Sequence, residues 1–361
     1  MSKATISRTV LRVIAIINRL LAPIGVVLVS RSELAAAEAS TELPTAPPQA
    51  AIPTDARAYL VATNPRLTEL RRRYAGHPAT AASRWAPDFV GKHVEMSSFR
   101  GDNPYVWSSR DAYVNVNGRK LRFATRAINY VLSAYYVREH DQVGVLRNST
   151  EDGLFGAPLY LVDDRFTVSR DLLDSTLELN FLERHLGLST RPQLHVLDVG
   201  AGYGRLGHRL VETFPSARVS CTDAVAESTF LSEFYLRFRG VDDRALVIPL
   251  DELESLTPGE IDVAIAIHSW SECPSGTISW WLDLIRELQI PHVMVVPNDG
   301  ELLLSLEPNG DQHDFAPLLA ERGYLRVALE PKYGSSSCQR LGAYPTHYHL
   351  FMREELVHAQ R

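Results

Sequence analysis

LHVLDVGAGYGRLG, residues 194–207, reads as a strand, a tight turn and the start of a helix. The apolar residues Leu194, Val196, Leu197 and Val199 carry Asp198 near the strand's end, and three alternating glycines follow. Glycine suits such a turn because the backbone must reverse sharply and let a ligand approach with no Cβ in the way. From about Arg205 the pattern is helical.

Working outward toward the C-terminus, strand and helix patterns alternate. Strands are expected at 217–223, 245–249, 261–268, 292–297, 324–331 and 346–352. Helical patterns lie between them in AESTFLSEFYLRF, TISWWLDLIREL and DFAPLLAERG. Strands that alternate with helices argue for a parallel, doubly wound sheet. The last two strands are joined by a polar loop with no room for a crossover helix, so that pair is expected to be antiparallel.

Toward the N-terminus, an amphipathic helix from Arg170 to His185 leads into the first strand. Leu173, Leu177 and Phe181 repeat every four residues, and Gly187 is suited to cap the end. Another helix is expected from Pro65, with Leu67, Leu70 and Tyr74 on one face. Helical character returns near 126–136 and a hairpin is expected near 156–166, with an aromatic, irregular segment before them at 85–107. Residues 34–56 are rich in Ala, Thr and Pro and read as a linker. Before them, residues 10–30 are the most apolar part of the chain, but Asn18, Arg19 and Pro23 interrupt any span. Two readings stand for this segment: a helix packed on the main domain or on a second copy of the chain, and an interfacial helix held against a membrane. The division is therefore 1–33, 34–56, 57–190 and 191–361.

Composition narrows the partners. The 361 residues are 45% hydrophobic and 22% charged, ordinary for a globular protein with a sizeable core. A net charge of −6 gives no electrostatic reason to expect a nucleic-acid partner. Cys221, Cys273 and Cys338 are far apart and form no CxxC pair, which speaks for a reducing, cytoplasmic setting. Asp311, His313 and Asp314 sit at a helix start, where acids are common, so no metal site is expected.

The glycine turn satisfies two templates. Gly202, Gly204 and Gly207 fit the dinucleotide fingerprint, with Asp223 at a suitable distance for a ribose, which would make the protein a nicotinamide-dependent oxidoreductase. Asp198-Val-Gly200-Ala-Gly202-Tyr-Gly204 also resembles the first motif of class I S-adenosylmethionine-dependent methyltransferases. Asp198 ahead of the glycines, the late start of the sheet and the closing antiparallel pair favour the second template. That resemblance implies a Rossmann-like sheet of seven strands behind a mainly helical N-terminal region, with S-adenosylmethionine as cofactor. Gly200, Ala201, Gly202 and Gly204 would lie against its methionine part beside Asp198. Asp223 would accept hydrogen bonds from its ribose, and Asp251 would lie near its adenine.

The fourth strand ends in His268-Ser-Trp-Ser-Glu272, at the carboxyl edge of the sheet where ligands collect. His268 and Glu272 are candidates for acid–base work, because a base that takes the proton of an alcohol during attack on a methyl group raises the rate. Further stretches resemble bacterial sugar O-methyltransferases of polysaccharide and glycolipid pathways: SRDLLDSTLELNFL (169–182), VGAGYGRLG (199–207), HSWSE (268–272), DFAPLLAERGY (314–324), LEPKYG (329–334) and THYHLFMR (346–353). The resemblance implies methyl transfer to a saccharide or glycolipid hydroxyl. Arg100, Tyr105 and Trp107 of FRGDNPYVW, with Trp270, would line the acceptor. A non-sugar acceptor is the alternative within the same fold.

Overall fold

The computed structural model describes residues 52–359, apart from 82–83, 102–113, 117–118, 122–123, 164–165 and 299. The apolar segment 10–30 and the acceptor candidates Tyr105 and Trp107 lie outside the described residues.

Seven strands form one sheet: β1 (Leu194–Val199), β2 (Ala217–Thr222), β3 (Ala245–Val247), β4 (Val263–Ile267), β5 (His292–Val296), β6 (Tyr324–Pro331) and β7 (His347–Arg353). Their spatial order is β6-β7-β5-β4-β1-β2-β3. β1 to β5 pair in parallel, and β7 enters antiparallel between β5 and β6. β1 is buried along its length except at His195, as a central strand covered on both faces must be. The chain runs outward from β1 through β2 to β3 and returns to β4 on the other side of β1. This reversal opens a crevice beyond the carboxyl ends of β1 and β4.

Before the sheet come α1 (Pro65–Tyr74), α2 (Ala124–His140), a hairpin of Tyr160–Asp163 with Phe166–Val168, and α3 (Arg170–Leu186). Asn64 caps α1 through its side chain, and Leu67, Leu70 and Tyr74 are buried as expected. Ser169 caps α3 by accepting from Leu172 N, and Gly187 closes it with φ of 59°. Within the sheet region α4 (Arg205–Thr213), α5 (Ala226–Phe238), α6 (Ser275–Glu287) and α7 (Ala316–Glu321) follow their strands. Side chains from both regions belong to one hydrophobic core, and residues 49–361 fold as one compact unit.

Three expectations need correction. The Pro-rich linker ends sooner than position 56, because a helix, Thr54–Tyr59, starts immediately after Pro53. The β6–β7 connection holds a short helix, Ser336–Leu341, where none was expected. Ser335 caps it by accepting from Cys338 N, which allows a single turn and a half to fit without a crossover. Finally, α3 is not amphipathic in its setting: Asp174, Ser175, Thr176, Glu178 and Asn180 are buried along with its leucines. Its polar face meets partners from the sheet region instead of water.

Candidate cofactor and acceptor site

A cavity of about 280 Å³ occupies the crevice beyond β1 and β4. Its floor is the turn from Asp198 to Arg205, and Asp223 and Val225 after β2 form one side. His268 to Cys273 after β4 form another, and Arg170, Asp171 and Asp174 of α3 a third. Trp85, Phe99 and Arg100 close it from the N-terminal region.

The glycine turn is shaped by close approach and by open space. Gly200 has φ of +75°, and a Cβ there would lie 2.3 Å from the Ser269 Cβ. Ser269 is held in that place by donating its Oγ proton to the Val199 carbonyl at 3.0 Å. Gly202 has φ of +59°, and a Cβ there would meet nothing within 4 Å. One glycine thus lets two strand ends meet, and the other keeps the floor of the cavity clear. Gly207 does what the third glycine of the dinucleotide template does, since its Cβ would lie 2.7 Å from Cys221 Sγ.

Two carboxylates face this floor. Asp198 is buried and has no hydrogen-bonding partner among the described residues. Burial pushes its carboxyl up to about 7, Arg205 offsetting part of the effect and Glu178 and Asp223 adding to it. A cationic ligand group beside Asp198 would relieve that cost. Asp223 accepts from the backbone amides of Gly202 (2.9 Å) and Val225 (2.8 Å), which fixes both oxygens and leaves lone pairs for a donor. Burial raises it to about 6 despite those two bonds. Buried, acceptor-only groups at the end of β1 and of β2 fit the ammonium and the ribose hydroxyls of S-adenosylmethionine, and the clear floor at Gly202 fits its methionine chain.

His268 follows β4 with φ of +63°, a strained conformation for a residue with a Cβ. Its Nδ1–H donates to the Pro297 carbonyl at 3.0 Å. Nε2 has no hydrogen-bonding partner among the described residues, so this tautomer presents a lone pair at the cavity. Burial, aided by Arg170, lowers His268 to about 3 and keeps the ring neutral. Around it stands a cluster that the sequence did not announce. Lys332 Nζ donates to Asp174 (2.6 Å) and to the carbonyls of Ala343 and Tyr344 (both 3.1 Å). Asp174 also accepts from Arg170 Nε at 3.0 Å. Burial alone would raise the Asp174 carboxyl, but Lys332, Arg170 and Arg205 hold it well below the usual carboxylate range. Arg205, next to the glycine turn, is held in turn by Ser175 and both oxygens of Glu178. The i,i+4 spacing of Arg170 and Asp174 is visible in the sequence; their partner Lys332 is not.

Several expected site residues sit elsewhere. Asp251 lies outside the cavity: both its oxygens accept from Arg73 of α1 at 2.7 Å, and Tyr74 accepts from Leu250 N beside it. Arg100 touches the cavity, but its buried guanidinium donates to Glu151, Asp152 and Asp171, which makes it a structural cation instead of an acceptor group. Trp270 is fully buried and packs edge-on against Phe315, so its ring is wall rather than stacking platform. Glu272 is buried with both oxygens engaged, by Trp85 Nε1 at 2.5 Å and Asn298 Nδ2 at 3.3 Å. His349, on β7, is buried, and His347 lies on the same strand. Among the described residues no group of three His, Cys, Asp or Glu side chains could hold a metal ion. No helix among them is long and apolar enough to cross a membrane.

The glycine turn follows the first strand of a sheet whose last strand enters antiparallel between the fifth and sixth. That strand order, with its one inserted antiparallel strand, is the class I methyltransferase fold. No family model matches the sequence, and no curated protein does. Among solved structures, the magnesium protoporphyrin IX methyltransferase ChlM from Synechocystis PCC 6803 with bound S-adenosylmethionine is similar at 12% identity. That likeness covers 65% of this chain and 100% of the other, with a TM-score of 0.37. The mitomycin 7-O-methyltransferase MmcR is similar at 18% identity over 63% of this chain and 67% of its own, with a TM-score of 0.35. The [4+2]-cyclase SpnF is similar at 13% identity over 61% and 96%, with a TM-score of 0.39. Such values carry no activity or substrate from one methyltransferase-fold chain to another.

Proposed function

We propose that this protein is an S-adenosylmethionine-dependent O-methyltransferase whose acceptor is a sugar hydroxyl of a saccharide or glycolipid. The observation that carries the cofactor is Asp198, a buried carboxylate without a hydrogen-bonding partner among the described residues, set beside a glycine turn with open space above it. The bound cofactor would supply an electrophilic methyl group on a sulfonium. Asp198 would hold its ammonium, the backbone from Gly200 to Gly204 its methionine chain, and Asp223 its ribose.

His268 is the base in this reading. His268 lines the cavity with its Nδ1–H fixed on Pro297, so the ring is oriented and the Nε2 lone pair is available. A group lowered to about 3 is a weak base toward a free alcohol. It suffices here because the hydroxyl proton becomes strongly acidic as the new C–O bond forms, and Nε2 can take it late in the transfer. Most of the rate then comes from alignment of oxygen, methyl carbon and sulfur. The wall next to His268 supports a polyhydroxyl acceptor over a flat apolar one. Arg170, Asp171 and Asp174 line it, and although their charges are paired with Lys332, Arg100 and one another they make it a polar wall, which suits a neutral group rich in hydroxyls.

Thermal unfolding with S-adenosylhomocysteine and with NAD tests the cofactor. At a hundredfold excess over Kd the true ligand stabilises by about 2.7 kcal/mol. A shift with NAD and none with S-adenosylhomocysteine would refute the reading. Transfer of a labelled methyl group into a polysaccharide or glycolipid fraction tests the acceptor, and label confined to phenolic compounds would exclude sugar.

A further inference from the structure

We propose that Asp174 binds the acceptor, taking a hydrogen bond from a second hydroxyl near the one that is methylated, and that Lys332 is the positioning residue that fixes it. This rests on the acceptor reading above and narrows it to molecules with at least two hydroxyls in reach of one wall. Asp174 lines the cavity although its side chain is only 7% exposed. Lys332 Nζ donates to Oδ1 at 2.6 Å and Arg170 Nε to Oδ2 at 3.0 Å. Each oxygen thus has one bond in place, and a carboxylate oxygen accepts two. The group cannot turn away without giving up one of those cations.

Topology puts this residue at the end of the cavity where the methyl group is received. Asp223, the expected ribose acid, follows β2, which lies on one side of β1. β4, β5, β7 and β6 lie on the other side. His268 follows β4, and its Nδ1–H donates to the Pro297 carbonyl after β5. Thr346 Oγ1 donates to that same carbonyl at 2.7 Å, and the Thr346 carbonyl accepts from Lys332 N at 2.8 Å. Lys332 in turn holds Asp174. His268 and Asp174 are therefore built on one hydrogen-bonded frame, on the side of β1 away from the ribose acid. Asp174 is fitted for binding and not for proton removal. Lys332, Arg170 and Arg205 hold its carboxyl well below the usual carboxylate range, so it stays charged and is a poor base. A hydroxyl that donates to a carboxylate makes a charge-assisted bond, about twice as strong as a neutral one. An acceptor without a second hydroxyl leaves that bond unmade, and a site built for a hydroxyl rejects analogues that lack it.

The test uses the full chain, labelled S-adenosylmethionine, and methyl glycopyranosides with their monodeoxy analogues as acceptors. In the wild type, loss of one hydroxyl other than the methylated one is expected to lower kcat/KM about 10²-fold or more. In D174N the parent glycoside should lose a similar factor, chiefly through KM, and that deoxy analogue much less. K332M keeps the carboxylate but frees it, so KM for the glycoside should rise severalfold. The Kd of S-adenosylhomocysteine, read by calorimetry, should stay at the wild-type value in both. Either change leaves a buried charge without its partner, so the double variant D174L/K332M guards against simple unfolding, with its urea midpoint as the check. It should bind S-adenosylhomocysteine normally and treat parent and deoxy glycosides alike. Wild-type discrimination between those glycosides in D174L/K332M would overturn the proposal. So would a loss of S-adenosylhomocysteine affinity in D174N that matches its loss of turnover, since that places Asp174 at the cofactor. A wild type that binds S-adenosylhomocysteine but methylates phenols and none of the glycosides would overturn the acceptor reading itself, an outcome distinct from sugar methylation that ignores Asp174.

Discussion

Asp198 is the residue at which burial and charge are most directly opposed. Raised to about 7, it is only partly charged at neutral pH without a ligand. An ammonium bound beside it holds it charged, so its value in the complex falls below that in the free protein. Affinity for S-adenosylhomocysteine is then expected to be flat above about pH 7 and to fall as the pH drops below it, approaching tenfold per pH unit. Calorimetry from pH 5.5 to 8.5 checks this, and Asp198→Asn should bind weakly at every pH and lose the slope that sets in near pH 7, leaving that of Asp223, raised to about 6. Stability of the free protein moves the other way. The folded value lies above the unfolded one, so this group's contribution declines as pH rises from about 4 to about 7. His268 gives a second expectation: Ala in its place should lower kcat by about 10²–10⁴ with ligand affinity unchanged, and unaltered turnover would remove it as the base. That Asp198, Asp223 and His268 would line the crevice was legible in the sequence because each ends a strand whose pattern is local. Asp251 was misread because its partner, Arg73, lies 178 residues away and no local pattern announces it.

At the scale of elements, α3 separates what a sequence pattern can show from what it cannot. Its length, its Ser169 cap and its Gly187 stop follow from nearest neighbours. The burial of its polar face does not, because Lys332 comes from beyond β6 and Arg205 from the start of α4. The β6–β7 connection was misread for a similar reason: its small polar residues suit a loop, but a Ser cap supports a short helix whose C-terminal side brings Ala343 and Tyr344 to Lys332. Asp174 depends on that contact. With Lys332→Met the carboxylate keeps Arg170 but loses its shortest bond inside a buried site, and breaking a buried ion pair on one side costs about 3–5 kcal/mol. Urea unfolding should show a loss of that order. A double variant, Lys332→Met with Asp174→Leu, should recover part of it, because no charge is then left without its partner. A loss under about 1 kcal/mol in the single variant would mean that water or Arg170 alone satisfies Asp174.

For the whole molecule, the question is what makes the N-terminal region and the sheet unfold together. Shared apolar packing is one part, and a buried ionic network is the other. Arg100, with a fully buried side chain, donates to Glu151, Asp152 and Asp171. Glu151 is equally buried and also meets Arg209 of α4, while Asp152 meets Arg239 just after α5. Tyr203, in the glycine turn, donates its hydroxyl to the same Asp171. One arginine from the N-terminal region is thereby joined, through three carboxylates, to the helix after β1, to the end of the helix after β2 and to the cofactor turn. Arg100→Met keeps much of the side-chain volume and removes the charge, so Glu151 and Asp171 each lose an ion pair inside the fold. The expected loss is about 3–5 kcal/mol. Tryptophan fluorescence and far-UV circular dichroism should trace one urea transition in the wild type, as for a single cooperative unit. In Arg100→Met, amide hydrogen exchange should show the N-terminal region opening at lower urea than the sheet, which retains its own core. Affinity for S-adenosylhomocysteine should fall with it, since Tyr203 and Asp171 tie the turn to that wall. Coincident transitions at the wild-type midpoint would show that apolar packing alone couples the two regions and that Arg100 is dispensable to both.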